Sequence, residues 1–194
     1  TDGQNSVVNA DGKFKGNIAI RQGLGESRNI PAIKAMALNG VDATKDTIRE
    51  IGDKSYCTDG ADQYAGLASA IGGCGTKQIE HVNAFATFAR MGVYKEPSDV
   101  LNVKNSSGET LYEWKDEGKQ VIDPQTAYII SDILTDENAR AGTMGARPTG
   151  MYISGIKTAT KTGTSDIGRL KKDAWMLSYT PKATLGVWYG NHVP

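Results

Sequence analysis

Lys161-Thr162-Gly163-Thr164, followed by the strand-like stretches Asp173 to Tyr179 and Thr184 to Tyr189, decides how this chain is read. Thr180-Pro181-Lys182 is a turn between the two stretches. The triad then lies on a sheet edge. There a cation and hydroxyls can hold a carboxylate, while backbone N–H groups point at a carbonyl. Gly163 has no side chain, so a substrate backbone can lie against the edge at that point. Strand alternation places Lys161 and Gly163 on one face and Thr162 and Thr164 on the other, unless the strand twists or bulges. A K-T-G triplet arises by chance in roughly one chain of this length in twenty, so it needs company.

Working outward, Met151 to Ser154 and Lys157 to Thr164 also read as strands, making the last third β. The first part reads as helical. Apolar residues at Ile18, Ile20 and Leu24 suit a short helix. Pro31 opens a second helix that ends at Gly40. Asp42 is placed to cap a third running through Ile51. Thr76 looks like the cap of an amphipathic helix with Ile79, Val82, Phe85, Ala86 and Ala89 on one face. Val100 to Val103 and Thr110 to Trp114 bracket Asn105-Ser106-Ser107-Gly108, a hairpin signal. Asp123-Pro124 opens another helix, and Ala139 to Gly150, with three glycines, reads as a loop. Helices first and antiparallel strands last make the class α+β. Residues 1–194 read as one partial domain: 1–150 mainly helical with a hairpin near 100–114, and 151–194 the sheet carrying K-T-G.

Composition excludes several functions. Lys+Arg and Asp+Glu number 22 each, and no long run of one sign appears, which argues against a nucleic-acid footprint. No stretch approaches the ~20 apolar residues of a membrane span. Thr1-Asp2-Gly3-Gln4-Asn5 reads as a polar loop, so the chain is expected to begin mid-protein. Cys57 and Cys74 flank a Gly-rich stretch and form either a disulfide or two buried thiols. With His81 and His192 they lack zinc-ligand spacing, so no metal is expected.

Two further motifs matter. Ser27-Arg28-Asn29 is by itself a common triplet that doubles as a helix-capping turn. Ser154-Gly155-Ile156-Lys157 matches S-x-x-K, where a helix would let the amine take the hydroxyl proton. In a β-like run the two side chains face opposite ways, so the match is a decoy. His81 and His192 have no Asp and Ser context that suggests a triad.

Taken together, Ser27-Arg28-Asn29-Ile30-Pro31-Ala32, Asn83-Ala84-Phe85-Ala86-Thr87-Phe88-Ala89 with Gly92-Val93-Tyr94, Asp123-Pro124-Gln125-Thr126-Ala127-Tyr128, Lys161-Thr162-Gly163-Thr164-Ser165 and Asp173-Ala174-Trp175 resemble the transpeptidase domain of class A penicillin-binding proteins. The resemblance covers nearly the whole chain. It implies a five-stranded antiparallel sheet flanked by helices, with an all-helical subregion over the cleft. It implies a D,D-transpeptidase that cross-links peptidoglycan stem peptides through an acyl-enzyme and is a β-lactam target, with no cofactor. Ser27 then resembles a proton relay, and Asn29 a ligand of the substrate's amide. Lys161 resembles the cation of the cleft, and Thr162 and Thr164 the hydroxyls that bind a terminal carboxylate. The Thr164 N–H is implied as half of an oxyanion hole.

Departures qualify the resemblance. The nucleophilic S-x-x-K is expected to precede Thr1, and a terminal helix to follow Pro194. Thr160 stands where a Gly is usual. The isolated chain is therefore expected to be inactive without the missing N-terminal part of its domain, its partner. A glycosyltransferase domain and a membrane anchor are expected further upstream, and that N-terminal segment would anchor the chain at the extracytoplasmic face of a bacterial membrane. The competing interpretation is a non-catalytic stem-peptide or β-lactam binding module. A serine β-lactamase would need a deacylating Glu, for which the sequence has no convincing candidate.

Overall fold

The structure, a computed structural model, describes residues 7–145, 147, 149–167 and 170–191. Among the described residues, six helices precede the main sheet: α1 (Ile20–Gly25), α2 (Asn29–Asn39), α3 (Val41–Glu50), α4 (Gln78–Ala89), α5 (Pro124–Thr135) and α6 (Glu137–Met144). Two 3-10 turns, Gly60–Tyr64 and Leu67–Ile71, lie between α3 and α4. Strands β1 (Val93–Tyr94), β2 (Asn102–Lys104), β3 (Thr110–Glu113) and β4 (Lys119–Gln120) form two small ladders, β1 with β4 and β2 with β3. The main sheet is antiparallel and three-stranded in the order β5 (Ala159–Ile167), β6 (Leu170–Thr180), β7 (Ala183–Gly190). The resemblance implied five strands; the described residues supply three. The α+β class holds.

Several local expectations are corrected by a better hydrogen-bond partner. Asp42 lies inside the first turn of α3, which starts after Gly40 at φ 95°. Thr76 does not cap α4, because its hydroxyl donates to the Asp53 carboxylate; Lys77 holds the cap position without a side-chain bond. The first half of the supposed loop from Ala139 belongs to α6, since Asp136 accepts from the N–H groups of Asn138 and Ala139 and so nucleates a helix at Glu137. Its Gly145 stands at the C-cap with φ 88°. Met151 to Ser154 is no strand but a tight turn with an Ile153–Ile156 bridge. The Asp123 cap of α5 stands as expected, accepting from Gln125 and Thr126.

One face of the sheet packs on α4 and α5. Leu134, Ala159 and Tyr179 form its buried centre, with Leu24, Phe85, Phe88, Ala89 and Ile130 packed around them. Tyr179 meets Phe85 edge to face at 6.2 Å and shares a 2.9 Å hydrogen bond with Ser131 Oγ. Gly186 lets β7 press on α4, because a Cβ there would collide with Val82. Leu185, Val187 and Tyr189 point the other way and stand exposed.

Cys57 and Cys74 are joined as a disulfide, with Cα atoms 5.2 Å apart, closing the segment that carries both 3-10 turns. Such a loop has few buried apolar anchors, so the cross-link supplies much of its order. Replacing both cysteines by serine is expected to cost about 3 kcal/mol, read as the shift in free energy of urea unfolding. Equal unfolding curves for the two proteins would mean the bond is absent in solution.

Candidate active site

The site begins at the end of α1. The Ser27 N–H donates to the Leu24 carbonyl at 3.1 Å and the Arg28 N–H to the Gly23 carbonyl at 2.9 Å. This is the Schellman pattern, in which the residue after the cap turns left-handed. Glycine usually takes that place; here it is Ser27, at φ 57°. Its hydroxyl accepts a 2.6 Å hydrogen bond from Lys161 Nζ, 134 residues away on β5. Lys161 Nζ also donates to the Thr162 carbonyl at 2.6 Å. Burial makes its charge expensive and pushes the Lys161 ammonium down from 10.5 to about 8.

On β5, Lys161 pairs with Leu177 and Gly163 with Trp175, so both face the helical layer; Thr162 and Thr164 pair with Met176 and Ala174 on the opposite face. The strand's bulge lies at Ser165/Asp166, past the motif, so it does not disturb this alternation. Among the described residues β5 pairs only with β6, which leaves its other edge with open N–H and C=O groups. Gly163 and Thr164 are exposed. A methyl group on Gly163 would make only an ordinary 3.5 Å contact with Trp175 Cβ. The fold itself therefore does not demand a glycine there.

Asn29 is the first residue of α2, and its amide donates to the Val8 carbonyl at 2.9 Å. The structure thus joins Ser27 to Lys161 and ties Asn29, two residues on from Ser27, to Val8. Ser154 and Lys157 sit in the exposed turn, where Lys157 Nζ lies 4.0 Å from Asp132. His192 lies outside the described residues.

Three features escaped the sequence. Asp173, opposite Ser165 in register, accepts from the Ser165 hydroxyl and from Trp188 Nε1 at 2.9 Å, tying the far end of β5 to β6 and β7. The Ser165 bond, ahead of that from Trp188, holds its carboxyl below the usual range. His81 Nδ1 lies 2.7 Å from the fully buried Asp53, and the ring packs edge to face on Trp175 at 5.6 Å. Sequence offered His81 no acidic partner because Asp53 is 28 residues away. Glu26 and Arg28, beside Ser27, are buried as an ion pair. Only the opposite charges flanking Ser27 in the sequence hinted at it.

Known proteins match this architecture over nearly its whole length. The residue pattern of the penicillin binding protein transpeptidase domain matches residues 3–192. The chain is 31% identical to penicillin-binding protein 1F of Bacillus subtilis over 193 residues, 97% of this chain and 25% of that protein. It is 32% identical to penicillin-binding protein 1A of Clostridium novyi over 186 residues, 94% of this chain and 20% of that protein. It thus spans no more than a quarter of the length of these relatives. The structure of the penicillin-binding protein PonA1 from Mycobacterium tuberculosis superposes with a TM-score of 0.80 at 26% identity, over 96% of this chain and 50% of that one. PonA1 has also been solved in complex with penicillin V, with a TM-score of 0.79 to this chain at 26% identity, over 95% of this chain and 50% of that one. A matching pattern across residues 3–192, on a fold that brings the K-T-G lysine onto the S-x-N serine, makes this chain a member of the penicillin-binding protein transpeptidase family.

Proposed function

We propose that residues 1–194 are the substrate-recognising part of a serine D,D-transpeptidase that cross-links peptidoglycan stem peptides and is acylated by β-lactams. The acylating serine and its lysine base lie in a segment of the natural protein beyond these residues, and that segment completes the domain. The protein works on the outer face of the bacterial membrane, a compartment that suits the Cys57–Cys74 bond.

The Lys161–Ser27 contact carries this assignment. With its hydroxyl oxygen accepting from Lys161, Ser27 keeps its own proton free to give to a leaving-group nitrogen. A lysine near 8 can then resupply that proton close to neutral pH. The hydroxyls of Thr162 and Thr164, which share one face of β5, receive the substrate's terminal carboxylate, or that of a β-lactam, and the Lys161 cation on the other face supplies the positive potential of the cleft. The open edge of β5 beside Gly163 takes the substrate backbone, and the Thr164 N–H contributes one donor to the oxyanion. Asn29 binds the substrate amide once the Val8 carbonyl gives way.

Intact mass spectrometry after incubation with benzylpenicillin tests the division of labour. Residues 1–194 alone are expected to gain no covalent adduct. The full-length natural protein is expected to gain one, on a serine outside this segment. A stoichiometric adduct on the isolated chain would overturn the proposal and turn attention to Ser154. An unmodified full-length protein that still binds the drug would make the domain a binding module.

A further inference from the structure

We propose that Glu26 and Arg28 are positioning residues for this reaction: their buried ion pair locks the intervening turn left-handed and so holds the Ser27 hydroxyl on Lys161. The inference rests on the transpeptidase assignment above.

Ser27 occupies a backbone conformation that a side chain disfavours, and nothing in its own side chain compensates locally. The flanking residues do the holding. Both are nearly inaccessible, at 4% for Glu26 and 5% for Arg28, on either side of a half-buried Ser27. The Glu26 carboxylate accepts from Lys15 Nζ at 2.8 Å on both oxygens and from Gln22 at 2.9 Å. Arg28 Nε approaches the same carboxylate at 3.4 Å, while Arg28 Nη1 reaches Asp11 at 2.7 Å. The Glu26 carbonyl accepts from Thr143 Oγ1 at 2.8 Å. The turn is therefore clamped between α6 on one side and residues 11–15 on the other.

The clamp is closely fitted. A Cβ on Gly142 of α6 would collide with the Glu26 carboxylate, and one on Gly25 would come within 2.6 Å of the Ala139 carbonyl. Arg28 Nη2 is buried with no hydrogen-bond partner among the described residues. A buried ion pair with an unsatisfied donor is a poor device for stability, since an apolar pair of similar shape often serves better. What it supplies is a fixed geometry for the residue between its members. Among the described residues no hydrogen bond or ion pair joins the two side chains to Lys161 or to β5, so their action on the chemistry passes through Ser27.

The test uses the full-length protein, with benzylpenicillin as the probe and time-resolved acylation as the readout. Arg28→Met and Glu26→Gln are expected to lower the first-order acylation constant at saturating drug about 10- to 100-fold, the scale of a catalytic group displaced by about 1 Å. The half-saturating concentration should move less than about threefold, since neither residue meets the drug. Arg28→Lys, which keeps the charge, should recover much of the rate. A purely structural role would predict fewer reactive molecules and a lower melting temperature, with an unchanged rate constant among those that react. That result would overturn the proposal. Should Arg28→Met fail to fold, wild-type rate constants in both Glu26→Gln and Arg28→Lys would overturn it equally. A wild-type protein that no β-lactam acylates would remove the transpeptidase assignment, and this inference with it.

Discussion

Lys161→Met is expected to make this chain more stable at pH 7 by about 1–2 kcal/mol, while lowering β-lactam acylation of the full-length protein on the order of 100-fold. The stability half follows from linkage. Lys161 titrates at 10.5 when unfolded and at about 8 in the fold, because burial disfavours the ammonium. Below pH 8 both states carry the proton and the folded state bears the whole penalty, about 3 kcal/mol for such a shift. Between pH 8 and 10.5 the unfolded chain binds more protons, so stability rises with pH and the penalty fades. Methionine fills similar space without charge and removes that slope. Against this gain stand the bonds to Ser27 Oγ and the Thr162 carbonyl, each worth roughly 1 kcal/mol. The advantage of methionine should therefore shrink and reverse as pH rises through the interval. Urea unfolding of both proteins from pH 7 to 10.5 measures it. A stability difference that stays constant across that range would show that the Lys161 ammonium bears no burial penalty.

The same residue shows what could be read without coordinates. Lys161, Thr162 and Gly163 were legible because a strand edge needs only local alternation and a short motif, and the β5–β6–β7 register preserves both. The Asp123 cap was legible for the same reason: an Asp ahead of a Pro and an apolar face is a local signal. Helix α6 was not, because its glycines resemble loop residues until Gly142 is seen to make room for Glu26. Thr76 was misplaced as a cap because its competing acceptor, Asp53, is 23 residues away and buried. The Ser27–Lys161 contact spans 134 residues, and only the combination of motifs in order suggested it. Sequence carries local hydrogen-bond choices well; it carries poorly those settled by a partner that the fold delivers.

Ser27 and Lys161 share a physical character. Each sits in a condition that ordinary folding would avoid: one a side chain in left-handed backbone, the other a cation out of water. Strain of this kind persists where the surroundings over-determine it. The Glu26–Arg28 clamp and the α4–α5 layer behind β5 are those surroundings. Stability given up at these two positions should therefore be recoverable by mutation, at the expense of chemistry.

Comparing Ser27→Gly with Ser27→Ala isolates the backbone part of that exchange. Both variants lack the hydroxyl, so both should lose acylation to a similar extent, on the order of 100-fold. They differ in whether a Cβ remains in the left-handed position. At an ordinary site glycine would be the less stable of the two by roughly 0.5–1 kcal/mol, because it gains more freedom on unfolding. At φ 57° the order should invert, since the left-handed region costs a residue with a Cβ about 1–2 kcal/mol and glycine nothing. The glycine variant is thus expected to be the more stable by about 1 kcal/mol, a difference of about 2–4 °C in melting temperature for a chain of this size. Alanine equal to or more stable than glycine would mean that the turn is not left-handed in solution, and the clamp would then have nothing to hold. Acylation that survives in either variant would remove Ser27 from the proton path, whatever its backbone does.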